Sequence, residues 1–137
     1  MAARVLVVDD DPVIVRLLEV NLRLEGYEVE TASRGEEALE RAAATAPDLV
    51  ILDVMMPGLD GWETCRRLRE LPAFAHTPVV FLSARAQDDD RSSGVALGLV
   101  SYVTKPFDPA RLMELIAELL VEGRAPTAGS EGNEAGP

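Results

Sequence analysis

The chain of 137 residues has one cysteine and one histidine. Cys65 has no partner for an intramolecular disulfide, which fits a reducing cytoplasm. Its neighbours Trp62, Arg66 and Arg67 read as an ordinary helix, so the thiol is expected to be packed or idle. His76 falls in a loop with no partner nearby in sequence and reads as a solvated side chain. Basic residues are also scarce, 13 against 24 acidic ones, for a formal charge of −11. That balance argues against direct binding to nucleic acid or an anionic membrane, both of which need a basic patch. It suits a hard cation or a basic partner. Aromatic residues make up 4% of the chain, so the core should be aliphatic. No apolar run approaches membrane-spanning length, and Met1-Ala-Ala-Arg4 lacks the long apolar segment of a signal peptide.

What is present is enough for one domain with a real core. Val5-Leu-Val-Val8 is a short apolar run ending in Asp9-Asp10-Asp11, and reads as a buried strand with an acidic tip. Asp11-Pro12 supplies a cap and a first helical residue. Val13, Leu17, Val20 and Leu24 recur at helical spacing, and Gly26 closes that helix. Residues 27–31 alternate as an edge strand would. Ser33 and Glu36 have capping-box spacing, which predicts a helix over 36–46 stopped by Pro47. A second unbroken apolar strand over 48–53 ends in Asp53 and runs into Pro57, Gly58 and Gly61.

Further on, the pattern predicts a helix over 62–71, a loop over 72–77 and a strand over 78–82 ending at Ser83. A weak helix follows over 88–98, interrupted by Ser92, Ser93, Gly94 and Gly98. Its leading Asp88-Asp89-Asp90 reads as a solvated cap. A fifth strand over 101–104 precedes Lys105-Pro106-Phe107. Asp108-Pro109 then repeats the helix start, before a stripe of Leu112, Leu115, Ile116, Leu119 and Leu120. Residues 1–122 read as the folded domain and 123–137 as a disordered tail or truncated linker, since the apolar periodicity ends there.

Strands and helices alternate five times, which predicts an α/β fold: a doubly wound, flavodoxin-like parallel sheet of five strands with five helices. Right-handed crossovers favour strand order 2-1-3-4-5. That order places Asp9, Asp10 and Asp53 at neighbouring strand ends, with Ser83 and Lys105 on the same rim. Clustered carboxylates repel and lose water on burial, so a cation among them is the natural relief. All-oxygen ligation suits Mg²⁺, with Mn²⁺ the alternative. A cation, an ammonium and a hydroxyl around one carboxylate are the parts that phosphoryl transfer needs, with Asp53 as nucleophile. Taken singly, each residue has a plainer reading: Asp9-Asp10 as a turn, Lys105 as a surface charge, Ser83 as a strand end, Tyr102 as core. Asp11 and Asp108 are read as helix caps.

Four segments in order resemble the receiver domain of two-component response regulators, over about residues 3–121. They are Val5-Leu-Val-Val-Asp9-Asp10, Asp48-Leu-Val-Ile-Leu-Asp53-Val-Met-Met-Pro57-Gly-Leu-Asp-Gly61, Pro78-Val-Val-Phe-Leu-Ser83-Ala and Tyr102-Val-Thr-Lys105-Pro106-Phe107. The resemblance implies a chemotaxis-receiver-like fold and a signalling role rather than an enzyme's. It implies phosphorylation of Asp53 by a histidine kinase or histidine phosphotransfer protein, assisted by the domain itself. Asp10 would bind Mg²⁺ directly, Asp9 through water, and Asp53 and the Met55 backbone carbonyl would complete the protein ligands. Lys105 would pair with the phosphoryl group and Ser83 would hydrogen-bond it. Tyr102 would be the switch aromatic, and the Lys105–Pro106 bond would be cis.

Two departures stand out. The family often has small or acidic residues where this chain has Gly98-Leu99-Val100-Ser101, which makes the face of the fourth helix, fifth strand and fifth helix more apolar. Homodimerisation through that face is one expectation, and simple packing of Leu99 and Val100 the other. No output domain is encoded, so the output partner is unknown, and the receiver of a longer, truncated regulator is the alternative. A flavin or nucleotide carrier would need a phosphate-cradling loop where Asp9-Asp10-Asp11 stands. A metabolite phosphatase would need a second acid where Met55 stands.

Overall fold

The computed structural model describes residues 2–84, 98 and 100–124, the last three of them by backbone alone. Five apolar stretches become β1 (Arg4–Val8), β2 (Glu28–Ala32), β3 (Leu49–Asp53), β4 (Val79–Ser83) and β5 (Val100–Thr104). All pair in parallel, in the order β2-β1-β3-β4-β5. The helices between them are α1 (Pro12–Leu24), α2 (Gly35–Thr45) and α3 (Gly61–Arg69), with α4 (Pro109–Arg124) last. The chain therefore has the expected doubly wound, flavodoxin-like α/β fold. The weak helix expected over 88–98 falls, apart from Gly98, outside the described residues.

Unbroken apolar strands serve both faces of the sheet because successive side chains point opposite ways. Val5, Val7, Leu49, Ile51, Val80 and Leu82 pack under α1 and α4, against Leu18, Leu22, Leu112 and Ile116. Leu6, Val8, Val50, Leu52, Val79 and Phe81 face the other way, onto Ala38 and Ala42 of α2 and Cys65 and Leu68 of α3. β3 and β4 are buried throughout, whereas the edge strand β2 exposes Glu28. Cys65 is packed in this second core, and burial pushes its thiol up to about 11, so it is inert at neutral pH.

Several boundaries differ from the sequence reading. Asp11 caps α1 as expected, its carboxylate accepting from Val13 N–H at 2.9 Å. The apolar stripe picked from spacing, however, is the outer one: Val13 is 71% and Leu24 79% exposed, while Leu18 and Leu22 are buried. The helix is apolar around much of its girth, so spacing alone fits two faces and the sheet selects one. At α2, Glu37 rather than Glu36 reaches back to Ser33, accepting from its N–H at 2.9 Å and its hydroxyl at 3.1 Å. The extra residue arises because the N-cap position is Arg34, one residue later than Ser33. α3 is capped by Asp60, which accepts from Glu63 N–H at 2.9 Å. It ends at Arg69, and part of the expected loop is a 3-10 turn, Pro72–Phe74. No helix among the described residues is long and apolar enough to cross a membrane.

Candidate functional site

The carboxyl edge of the sheet gathers the residues that sequence order scatters. Asp9 follows β1, Asp53 closes β3, Ser83 closes β4 and Lys105 follows β5. Carboxylate oxygens of Asp9, Asp10 and Asp53 lie within 4.8 Å of one another. Asp9 and Asp53 are 1% and 4% exposed, whereas Asp10 opens to solvent. A buried pair of acids thus has one solvated neighbour on its outer side.

Backbone and side chain fix this arrangement. Asp9 N–H donates to the Ala32 carbonyl at 3.2 Å, and Asp9 Oδ1 accepts from Asp11 N–H at 2.9 Å. Val54 N–H donates to Leu82 O at 3.0 Å, which holds the residue after Asp53 in the sheet. Met55 N–H points at Asp53 Oδ1 across 3.4 Å. Lys105 N–H donates to Ser83 O at 2.7 Å, and the Lys105–Pro106 peptide is cis. The ammonium Nζ then stands 3.0 Å from Asp9 Oδ2 and 3.5 Å from Asp53 Oδ1.

The electrostatics follow from burial. Loss of water, then the charge of Asp9, pushes the Asp53 carboxyl up to about 7, against the pull of Lys105 and Met55 N–H. Burial alone would lower the Lys105 ammonium, yet contact with Asp9 and the charges of Asp9 and Asp53 outweigh it and raise the group. One ammonium does not satisfy the cluster: Asp9 Oδ2 is buried, and its 3.0 Å contact with Nζ is an ion pair without hydrogen-bond direction. A buried carboxylate oxygen with one ammonium beside it, an acid held partly protonated and a third, solvated carboxylate fit a hard divalent cation.

A family model for the response regulator receiver domain matches residues 5–117. The chain belongs to the response regulator receiver family. Among curated relatives of this receiver, response regulator PleD of Caulobacter vibrioides is 46% identical over 119 residues, covering 87% of this chain and 26% of that protein. The alkaline phosphatase synthesis transcriptional regulatory protein PhoP of Bacillus subtilis is 42% identical over 131 residues, covering 96% and 54%. The receiver thus spans from about a quarter to about half of these relatives' length. Among solved structures, the Vibrio cholerae chemotaxis protein CheY4 superposes with a TM-score of 0.82 at 34% identity, covering 87% of this chain and 99% of that one. A putative response regulator from Chloroflexus aurantiacus gives 0.81 at 36%, covering 88% and 99%.

The structure brings Asp9, Asp10, Asp53 and Lys105 of this receiver together, with the Ser83 backbone tied to Lys105. Tyr102 packs against the second core, stacked on Phe81 at 5.6 Å and beside Trp62 at 5.9 Å. Trp62 and Phe81 themselves meet at 4.5 Å. Sequence reading missed this ring cluster, because its members come from α3, β4 and β5. It also missed Asp11, whose N–H orients Asp9 besides its side chain's capping α1.

Proposed function

We propose that this receiver accepts a phosphoryl group on Asp53 from a histidine kinase or histidine phosphotransfer protein, assisted by Mg²⁺ or Mn²⁺. The observation that carries the reading is the cluster itself: an acceptor carboxylate buried beside Asp9 and Asp10, with Lys105 reaching both buried acids. An Asp53 carboxylate oxygen attacks phosphorus, the P–N bond to the donor imidazole breaks, and the histidine leaves with the nitrogen's electron pair. The product is an acyl phosphate on Asp53. Asp9, Asp10, Asp53 and the Met55 carbonyl would hold the cation, which neutralises charge on the phosphoryl oxygens when bound. Lys105 adds positive charge at the same oxygens, and the Ser83 hydroxyl donates a hydrogen bond to them. Asp53 must be ionised to attack, so both Lys105 and the cation work against the burial that protonates it.

Phosphorylation then acts as a population shift. New charge and acceptor oxygens on Asp53 favour the state in which Ser83 is drawn inward, and Tyr102 repacks behind it. The face carrying β5 and α4 changes affinity for an output partner, either a separate protein or a module of a longer chain. The setting is cytoplasmic, with residues 1–122 as the working unit and the remainder as a tail or a truncated linker. Homodimerisation through the same face is a second outlet. Val100 is half-buried against the core cluster of Trp62 and Phe81, which leaves Leu99 as the residue to test.

The experiment is incubation with acetyl phosphate, with Mg²⁺ or with EDTA, comparing wild type with Asp53→Asn. Metal-dependent, base-labile phosphate on wild type alone is expected. Equal labelling of Asp53→Asn, or labelling indifferent to metal, would overturn the assignment.

A further inference from the structure

The chain leaves Asp53 through a loop whose two limbs are held by different helices. On the near limb, the Val54 carbonyl accepts from Gly61 N–H at 2.9 Å, which closes the loop at the base of α3. Gly61 comes so close that a Cβ there would overlap the Asp53 carbonyl oxygen and sit 2.8 Å from Val54 Cα. The far limb meets α2. A Cβ on Gly35, the first residue of that helix, would overlap Thr64 Oγ1 and stand 2.9 Å from the Leu59 carbonyl oxygen and 3.0 Å from Leu59 Cβ. Thr64 is buried and donates its hydroxyl to the Asp60 carbonyl at 2.7 Å, so the corner that Gly35 touches is continuous with the loop.

We propose that Gly35 is a positioning residue for the acceptor loop. By letting α2 seat directly on Leu59 and Thr64, it sets where residues 54–60 lie, and so where the Met55 carbonyl stands relative to the Asp53 carboxylate. The proposal rests on the reading of that loop as part of a cation site. α2 supplies no carboxylate to the cluster; it meets the loop through Gly35 against Leu59 and through Glu36 Oε2, 3.9 Å from where a Cβ on Gly58 would stand. Replacing glycine by alanine in a helix ordinarily stabilises it. If the contact were idle, Gly35→Ala would raise Tm and leave metal binding alone. With no space for the methyl, Thr64 and Leu59 must give way, and the loop moves with them.

The test uses Mn²⁺ alone as probe, its binding followed by electron paramagnetic resonance, with amide exchange at Met55 measured on the metal-free protein. Gly35→Ala is expected to bind Mn²⁺ about tenfold more weakly, in line with the loss of residues that orient ligands, and to speed Met55 exchange. Thr64→Ala opens the space the new methyl needs, so Gly35→Ala/Thr64→Ala should recover at least half of that loss on a logarithmic scale. Leu22→Ala, in the core on the opposite side of the sheet, should lower Tm more and keep wild-type Mn²⁺ affinity. Wild-type affinity and exchange in Gly35→Ala, or a loss in Leu22→Ala scaling with its Tm, would overturn the proposal. Should Gly35→Ala alone not fold, the double variant against Thr64→Ala carries the comparison: a difference in affinity of about threefold or less supports compensation, and a larger loss contradicts it. Failure of wild type to bind Mn²⁺ would refute the cation site instead, and the metal-free exchange would still decide the coupling.

Discussion

Asp53 is held at a conflict that the rest of the site resolves. Burial first and the charge of Asp9 second hold its carboxyl near 7, although Lys105 and Met55 N–H favour the ionised form. The folded metal-free protein therefore binds this proton more tightly than the unfolded chain does. The sign follows: this group's stabilising contribution is full below the unfolded value of 3.8 and is lost as pH rises through about 7. Asp53→Asn, which mimics the protonated acid, should leave Tm in EDTA nearly unchanged at pH 4. At pH 8 it should raise Tm by several degrees, consistent with roughly 1–2 kcal/mol once solvent screening is allowed for. Thermal melts of the two proteins across that range check it. A gain that is larger at low pH would show that the carboxylate, not the acid, is what the fold favours. Asp9, Asp53, Ser83 and Lys105 were legible in the sequence because each ends or follows an apolar run, which marks it as a strand tip. The hydrogen bond from Asp11 N–H to Asp9 was not legible, since a cap residue's backbone carries no sequence signal of a second role.

At the scale of single elements, α1 shows where periodicity stops deciding. Val13, Leu17, Val20 and Leu24 have proper helical spacing and face away from the core; Ile14, Val15, Leu18 and Leu22 pack against it. Only the partner surface, known once the strands are ordered, distinguishes the two stripes. Leu22→Ala should cost about 3 kcal/mol, the usual result of emptying a tightly packed site. Leu24→Ala should stay within about 0.5 kcal/mol, as surface changes do. Urea unfolding of the two variants separates them, and equal costs would mean that the outer stripe is covered in solution. α2 gives the complementary lesson. Its start was read one residue off because Ser33, Glu36 and Glu37 all suit a cap, and the backbone at Arg34 chooses Glu37. Gly35 carried no visible signal either, for its importance comes from Thr64 and Leu59, which sequence separation hides.

Across the whole molecule, the sheet order was readable because five alternating units leave few right-handed windings. Three unbroken apolar strands, β1, β3 and β4, lie inside it, and with β1 beside β3 their acidic tips meet. What sequence could not supply was the meeting of Trp62, Phe81 and Tyr102 in one cluster of the second core. In the proposed switch, a turn of Tyr102 would repack the two rings it touches. If the β5 face also mediates self-association, Leu99→Asp should abolish a phosphorylation-dependent rise in sedimentation coefficient. Identical sedimentation of wild type before and after acetyl phosphate would contradict that self-association and leave the face to an output partner, a separate protein or a module of a longer chain.

Phosphoryl transfer to Asp53 would turn one carboxylate among three neighbouring ones into an acyl phosphate. Borohydride reduces such an anhydride to an alcohol, so trapping converts the acceptor aspartate to homoserine, which peptide mass spectrometry can place. After acetyl phosphate, homoserine is expected at position 53 with Mg²⁺ and none in EDTA. Homoserine at position 9 or 10, or no metal-dependent trapping at all, would contradict it.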